Sequence, residues 1–218
     1  MQRVLTHARC FVIACLLVTG SVKTSNAQSK EQSLHDLNTL LVNTVMTDLF
    51  TPIVASRVYV YPSIAFYECI RLDDPTLPAL TGKLNGLQSL PIPPAGKKID
   101  PFIAACVSFS HVAQALVGSE YKFSDWRIAF TDSVSRYNDS ALVQQSAAYG
   151  KTVADSIVSW SKKDNYLKTR ALTRYVISHT PGAWQPTPLD YAQALEPHWP
   201  KIRPMTLRSA AQFAPKEK

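Results

Sequence analysis

Catalysis or metal binding in a chain of this size needs reactive side chains within reach of one another, so the histidines, cysteines and clustered charges come first. Beyond the N-terminal stretch the histidines are His35, His111, His179 and His198, and no two stand within one helical turn. There is no His-Glu-x-x-His, Cys-x-x-Cys or Asp-x-Asp arrangement, so no local metal set is predicted. His111, beside Ser108 and Ser110, reads as a hydrogen-bonded core or groove histidine rather than a base. Gly-x-Ser-x-Gly and Gly-x-x-x-x-Gly-Lys are absent, which removes a nucleophile elbow and a phosphate loop. Asp73-Asp74, directly before Pro75, read as a solvated helix end. On this reading no catalytic, cofactor-binding or metal-ligating residue is assigned. The densest charge is Lys162, Lys163, Lys168, Arg170 and Arg174, read as a solvated helix end where cations suit the dipole. An anion-facing wall is the second reading of that stretch.

The elements that must hold these side chains are helical. Leu34, Leu37, Leu41, Val45 and Leu49 fall on one face of a helix over 33–50, with Ser33 and Asp36 placed as a capping box. Thr51-Pro52 reads as an N-cap followed by proline in the first turn. The helix predicted over 52–71 is apolar on nearly every side, which marks it as central, and Pro62 should kink it. Six prolines between 73 and 101 make a long connection, with one short helical turn around 84–90. Asp100-Pro101 opens a helix to about Val117, closed by Gly118, and Ser124-Asp125 starts the next, carrying Trp126, Phe130, Val134 and Tyr137. After Asn138-Asp139-Ser140, the residues Leu142, Ser146, Tyr149, Val153, Ile157 and Trp160 form the seam of a helix packed lengthwise on a neighbour. Ser146 and Gly150 are small enough to let that neighbour come close.

Composition agrees with a folded helical domain. Of 218 residues, 46% are hydrophobic and 18% charged, which is too apolar for a disordered chain. The 15 prolines avoid the stretch 102–180 and crowd both flanks. Four cysteines are too few for a disulfide scaffold. Arg3 and Arg9, the apolar run 10–18 and Ser25-Asn26-Ala27 have the pattern of an export signal cleaved near Ala27. A lipobox-like Val12-Ile13-Ala14-Cys15 is the lesser alternative, with Cys15 lipidated. Residues 1–27 carry three cations and no acid, so cleavage lowers the formal charge from +7 to +4, too little to favour nucleic acid. It also leaves Cys69 and Cys106, either bridged in an oxidising compartment or two buried thiols. No membrane span is predicted. The expected organisation is a signal peptide over 1–27, an all-α bundle of about five helices over 28–180, and an extended proline-rich segment over 181–218. Trp184, Tyr191, Trp199 and Phe213 are the expected anchors of that last segment on the surface beneath it.

Two regions carry a resemblance. The segment Thr180-Pro181-Gly182-Ala183-Trp184-Gln185-Pro186-Thr187-Pro188, then 197–207, then Gln212-Phe213-Ala214-Pro215, resembles exported bacterial vanadium-dependent haloperoxidases, which group with the type 2 phosphatidic acid phosphatases (the PAP2 superfamily). Leu207, Ser209, Gln212 and Phe213 stand where the pattern asks. Ala55-Ser56-Arg57-Val58-Tyr59-x-Tyr61 and Ala65-Phe66-Tyr67-Glu68 are similar to the early helix of that family.

The resemblance implies a vanadate or phosphate site built from a Lys-x6-Arg-Pro element, a Ser-Gly-His element and a later Arg…His pair. None of these occurs here. Lys201-Ile202-Arg203-Pro204 has the wrong spacing and receives no ligand role. The expectation is therefore the N-terminal helical half of such an enzyme, from a fragment, a truncated gene or a degenerate paralogue, inactive alone. Vanadate would be the cofactor of a complete member and none is expected in this chain. Its expected partner is a catalytic half or a second copy. The alternative expectation is a non-catalytic exported helical binding protein.

Overall fold

The computed structural model describes residues 30–215; the expected signal peptide with Cys10 and Cys15 lies outside them. Helix α1 spans Lys30–Thr47 and buries Leu37, Leu41, Thr44 and Val45 on one face. It is already helical at Lys30, so Ser33 and Asp36 lie inside it and Ser33 is buried rather than capping. Leu49, predicted on the apolar face, falls past the helix end with φ of 57° and is exposed.

Helix α2, Pro52–Ile70, starts as expected: the Thr51 hydroxyl accepts from the Val54 amide at 3.4 Å. It runs as one unbroken helix through the buried Pro62 and passes into a 3-10 turn at Arg71–Asp73. The connection to residue 100 holds turns and no helix. Its expected helical piece at 84–90 is replaced by a tight loop in which Gly82 donates to the Leu87 carbonyl at 2.8 Å. Gly82 and Gly86 have φ of 74° and 77°, left-handed values that a helix cannot accommodate.

Helix α3, Pro101–Gln114, is capped by Asp100, whose carboxylate accepts from the Ile103 amide at 2.9 Å. It ends short of Val117 because the chain turns toward Asp48, which accepts from the amides of Gly118 and Ser119 at 2.8 and 2.9 Å. Helix α4, Tyr121–Ser135, begins before Ser124, whose hydroxyl donates to the Tyr121 carbonyl instead of capping. Helix α5, Ser140–Ser161, is capped by Asp139, and a single turn α6 follows at Tyr166–Thr169. The described residues contain five long helices and no strand, so the chain is an all-α bundle.

The central element is α3, not α2. Eleven of its fourteen residues are buried, and it packs against α1, α2, α4 and α5. It is shorter than α2 and equally apolar, and it lacks the polar side chains that α2 sends toward the loops. One cluster of buried side chains joins α1, α2, α3 and α4 through residues such as Leu37, Val58, Phe109 and Phe123. The other joins α2, α3 and α5 through Tyr61, Ala105, Val153 and Ile157. The α5 seam holds at Ser146, Tyr149, Val153, Ile157 and Trp160, while Val143 takes the buried position expected for Leu142.

The α3–α5 contact is backbone to backbone. A Cβ on Gly150 would lie 2.4 Å from the carbonyl oxygen of Ala104. One turn earlier on α5, the Ser146 hydroxyl accepts from the Asp100 amide at 2.8 Å. Gly150→Ala should therefore force the helices apart and cost roughly 1–3 kcal/mol. Gly118→Ala, whose Cβ would meet nothing closer than 3.4 Å, should cost much less. Urea unfolding midpoints of the two variants check this; equal midpoints would contradict the close approach.

Candidate functional site

The most concentrated polar chemistry lies where α5 ends. The chain turns there through Lys162 and Lys163 and places Asp164 inside the protein, with 1% of its side chain exposed. A buried carboxylate is tolerable only when its charge and lone pairs are met. Arg57 of α2 donates from Nε to Asp164 Oδ2 at 2.6 Å, and the Tyr61 hydroxyl donates to the same oxygen at 2.8 Å. The other oxygen accepts from the Tyr166 amide at 2.9 Å. Arg57 and Tyr61 are four residues apart and so share one face of α2. Arg57 also donates to the Ser161 carbonyl at 3.2 Å and lies over the rings of Tyr61 and Tyr166. Burial, and then the neighbouring Asp164 charge, push the Tyr61 phenol well above its ordinary range, so it remains a donor.

A second guanidinium closes this cluster from the C-terminal segment. Arg203 donates to the Tyr61 hydroxyl at 3.3 Å and to the Trp160 carbonyl at 3.1 Å, and lies over the Trp160 indole. Its own amide donates to the Asp164 carbonyl at 2.9 Å. Asn85 secures the residues that follow. Its side chain donates to the carbonyls of Pro204 and Leu207 at 3.0 and 2.7 Å, and its amide donates to Met205. The Trp160 indole N–H donates in turn to the Asn85 carbonyl at 3.0 Å. Gly86 makes room here, since a Cβ would stand 3.3 Å from Arg203 Nη1. Residues 199–207 thus form a strap fastened to α2, α5 and the 84–87 loop.

The residues between α6 and the strap are almost entirely exposed and contain no helix. Their two ends are tied together by the bidentate Arg170–Glu196 pair, and by His198, whose ring bonds the Thr173 carbonyl at 2.7 Å. Thr180-Pro181-Gly182-Ala183 closes a turn through Ala183 N–H to Thr180 carbonyl at 3.0 Å, with Gly182 at φ of 83°. Two open hollows of about 550 and 420 Å³ lie within this excursion, lined in part by Tyr175 and Trp184. Of the aromatic residues expected as anchors, Trp199 is half-buried in the strap, while Trp184, Tyr191 and Phe213 are exposed. Trp184 packs edge-on against Tyr175 and is about half exposed.

The other candidates scatter. His35 and His179 are exposed, and none of the four histidines joins the Asp164 cluster by a hydrogen bond. His111 is half-buried without a hydrogen bond to its ring among the described residues. Burial first, then the charges of Arg127 and Lys151, push it down to about 4, with Asp155 opposing. Cys69 and Cys106 are two buried unpaired thiols; burial raises Cys69 to about 12. Asp73 and Asp74 are exposed, and Asp74 caps the Thr76 amide at 2.9 Å. In the basic stretch, Lys162, Lys163, Lys168 and Arg174 are exposed, and Arg170 alone forms an ion pair. Gln212 accepts from the Arg208 amide at 2.7 Å, which shapes the turn after the strap.

The donor set does not fit vanadate. Nε and Nη2 of Arg57 and Nη2 of Arg203 are engaged by Asp164, Tyr61 and main-chain carbonyls, no histidine joins them, and the buried Asp164 carboxylate opposes a multiply charged oxyanion that needs donors on every oxygen. Among the described residues no group of three His, Cys, Asp or Glu side chains could hold a metal ion, and no helix is long and apolar enough to cross a membrane. No family model and no curated protein matches the chain. Among solved structures, a crystal structure described as the first bacterial vanadium-dependent iodoperoxidase superposes with a TM-score of 0.78 and 37% identity. The match covers 86% of this chain and 45% of that one, so the chain spans less than half the length of its structural neighbour.

Two outcomes are expected. Asp164→Ala leaves Arg57 buried without its counter-charge, which should cost about 3–5 kcal/mol and release the strap. Thermal melting and the rate of tryptic cleavage after Lys201 report these together. For His111, the folded value lies below the ordinary 6.5. Its contribution is therefore complete above the unfolded value and is lost as pH falls from 6.5 toward 4. His111→Phe should flatten the pH dependence of the urea midpoint across that window, and an unchanged slope would contradict the assignment.

Proposed function

The chain is related to the bacterial vanadium haloperoxidases, and on that premise we propose that residues 28–218 are the N-terminal helical part of an exported enzyme of this kind. The observation that carries the proposal is the 37% identity over 86% of the chain. In this reading the helical part supplies scaffold rather than reacting groups. Its polar cluster is centred on the Asp164 carboxylate and contains no histidine, and the sequence holds no Lys-x6-Arg-Pro or Ser-Gly-His element. In a complete enzyme, bound vanadate would activate peroxide for halide oxidation, or phosphate-type use of the same pocket would hydrolyse phosphoesters; those residues would come from a catalytic half.

The exposed excursion supports a docking role. Val176, Trp184, Leu189, Tyr191 and Leu195 are 47–95% exposed within twenty residues of one another. Several large apolar side chains exposed on one excursion, three of them (Trp184, Leu189 and Leu195) lining one hollow, support an interaction face. The same observation supports the second reading, an exported helical binding protein without catalysis. The expected result is that the purified chain with vanadate, peroxide and either iodide or bromide oxidises no halide above a protein-free control. Light scattering after size exclusion should show association that grows with concentration. Halide oxidation above the control would overturn the scaffold reading, and a strict monomer would favour the independent binding module.

A further inference from the structure

A cavity of about 540 Å³ lies between α2 and the strap, separate from the two hollows of the exposed excursion. Its walls are predominantly apolar, with Val60 on the α2 side and Trp199, Ile202, Met205 and Leu207 on the strap side. Arg57, Tyr61, Asp164 and Arg203 border it and are its only charged or phenolic groups. Two guanidinium groups against one carboxylate leave a single net positive charge there.

The hydrogen bonds at these groups are unevenly met. Both Asp164 oxygens and the Tyr61 hydroxyl are engaged, and Arg57 uses Nε and Nη2. Arg203 spends Nη2 on Tyr61 and Trp160, but its Nε is buried and has no hydrogen-bond partner. Nη1 of Arg57 and of Arg203 also carries no hydrogen bond among the described residues and, unlike the enclosed Nε, is not buried, so each is a donor that an incoming carboxylate can reach. The volume falls in the range that encloses a small organic molecule, and the ratio of apolar wall to polar groups is that of a ligand site.

We propose that this cavity binds an amphipathic organic monoanion, a carboxylate on an apolar chain or ring, with its head at Arg203 and Arg57 and its body against Val60, Ile202 and Leu207. The single net charge selects one negative charge over two. The apolar walls disfavour inorganic phosphate or sulfate, which would lose hydration without recovering enough donors. The proposal does not rest on the haloperoxidase relationship, since it uses only the residues that border the cavity.

The test is calorimetric titration of the purified chain with octanoate, octan-1-ol and inorganic phosphate. Octanoate should bind saturably, one per chain, at least tenfold more tightly than the alcohol, and phosphate should give no saturable heat. Tryptophan emission, to which Trp199 at the cavity wall contributes, should change with the same midpoint. Ser56→Trp, a substitution at an exposed α2 position bordering the cavity, should block octanoate while leaving the melting temperature within the ordinary range for a surface change. The assignment is overturned if octanoate does not saturate, if the alcohol binds as tightly, if phosphate competes with octanoate, or if a folded Ser56→Trp chain binds octanoate as well as the parent.

Discussion

Everything at the C-terminal end of the bundle depends on keeping one carboxylate, Asp164, out of water. Its charge must be balanced by Arg57, its lone pairs by Tyr61 and the Tyr166 amide, and its main-chain carbonyl by the Arg203 amide. Those groups come from α2, the start of α6, and the strap. Meeting the requirement therefore fixes three separate segments relative to one another. An apolar contact could hold them at similar strength but would not fix their register, because dispersion is not directional whereas each of these bonds has one geometry. Replacing a buried pair by apolar residues can be neutral for stability. What the pair adds here is the position of the strap.

The α3–α5 contact sets the ground on which that cluster stands. Because Gly150 lets the backbone of α5 rest on Ala104, α5 has little freedom to slide, and its C-terminal turn reaches the α2 residues Arg57 and Tyr61. Trp160 is the last buried residue of the seam before Ser161. It contributes to both systems at once, with its ring against Tyr61 and its indole N–H on the Asn85 carbonyl. Packing of two helices is thereby converted into placement of a loop and a strap.

How far this was legible in the sequence depended on whether the deciding interaction was local. The caps at Thr51, Asp100 and Asp139 involve residues three apart, and the α5 seam follows from helical period, so both could be read directly. The capping box read at Ser33 failed because the same residue types occur inside helices, and the helical piece at 84–90 failed because Gly86 in its middle adopts a left-handed φ. The apolar character of α2 marks it as central, but counting apolar residues cannot show that α3 is the more deeply buried of the two, nor that Arg57, Tyr61, Tyr67 and Glu68 of α2 bind segments outside the bundle. Asp164 itself went unnoticed beside Lys162 and Lys163, since nothing local marks a carboxylate whose partner is 107 residues away. The only signal was the family resemblance around Arg57 and Tyr61, which pointed to the helix without giving the reason.

The α2 polar residues extend that argument to the long proline-rich connection. Tyr67 donates to the Pro78 carbonyl at 2.8 Å, while buried Glu68 accepts from the Leu80 amide and from Arg71, both at 2.6 Å. Arg57 and Tyr61 act at one end of α2 and Tyr67 and Glu68 nearer the other, so a single helix anchors both irregular segments of the chain. Asn85 then links them, since it belongs to the connection and binds the strap at Pro204, Met205 and Leu207. The irregular parts are consequently as determined as the helices wherever such a bond exists. The excursion before the strap is held at its base by Arg170–Glu196 and His198, and has no comparable ties to α2 or α5 beyond that base. A chain that secures its strap with so many directed bonds, yet leaves the preceding apolar residues in solvent, has the form of a fixed support carrying a contact surface.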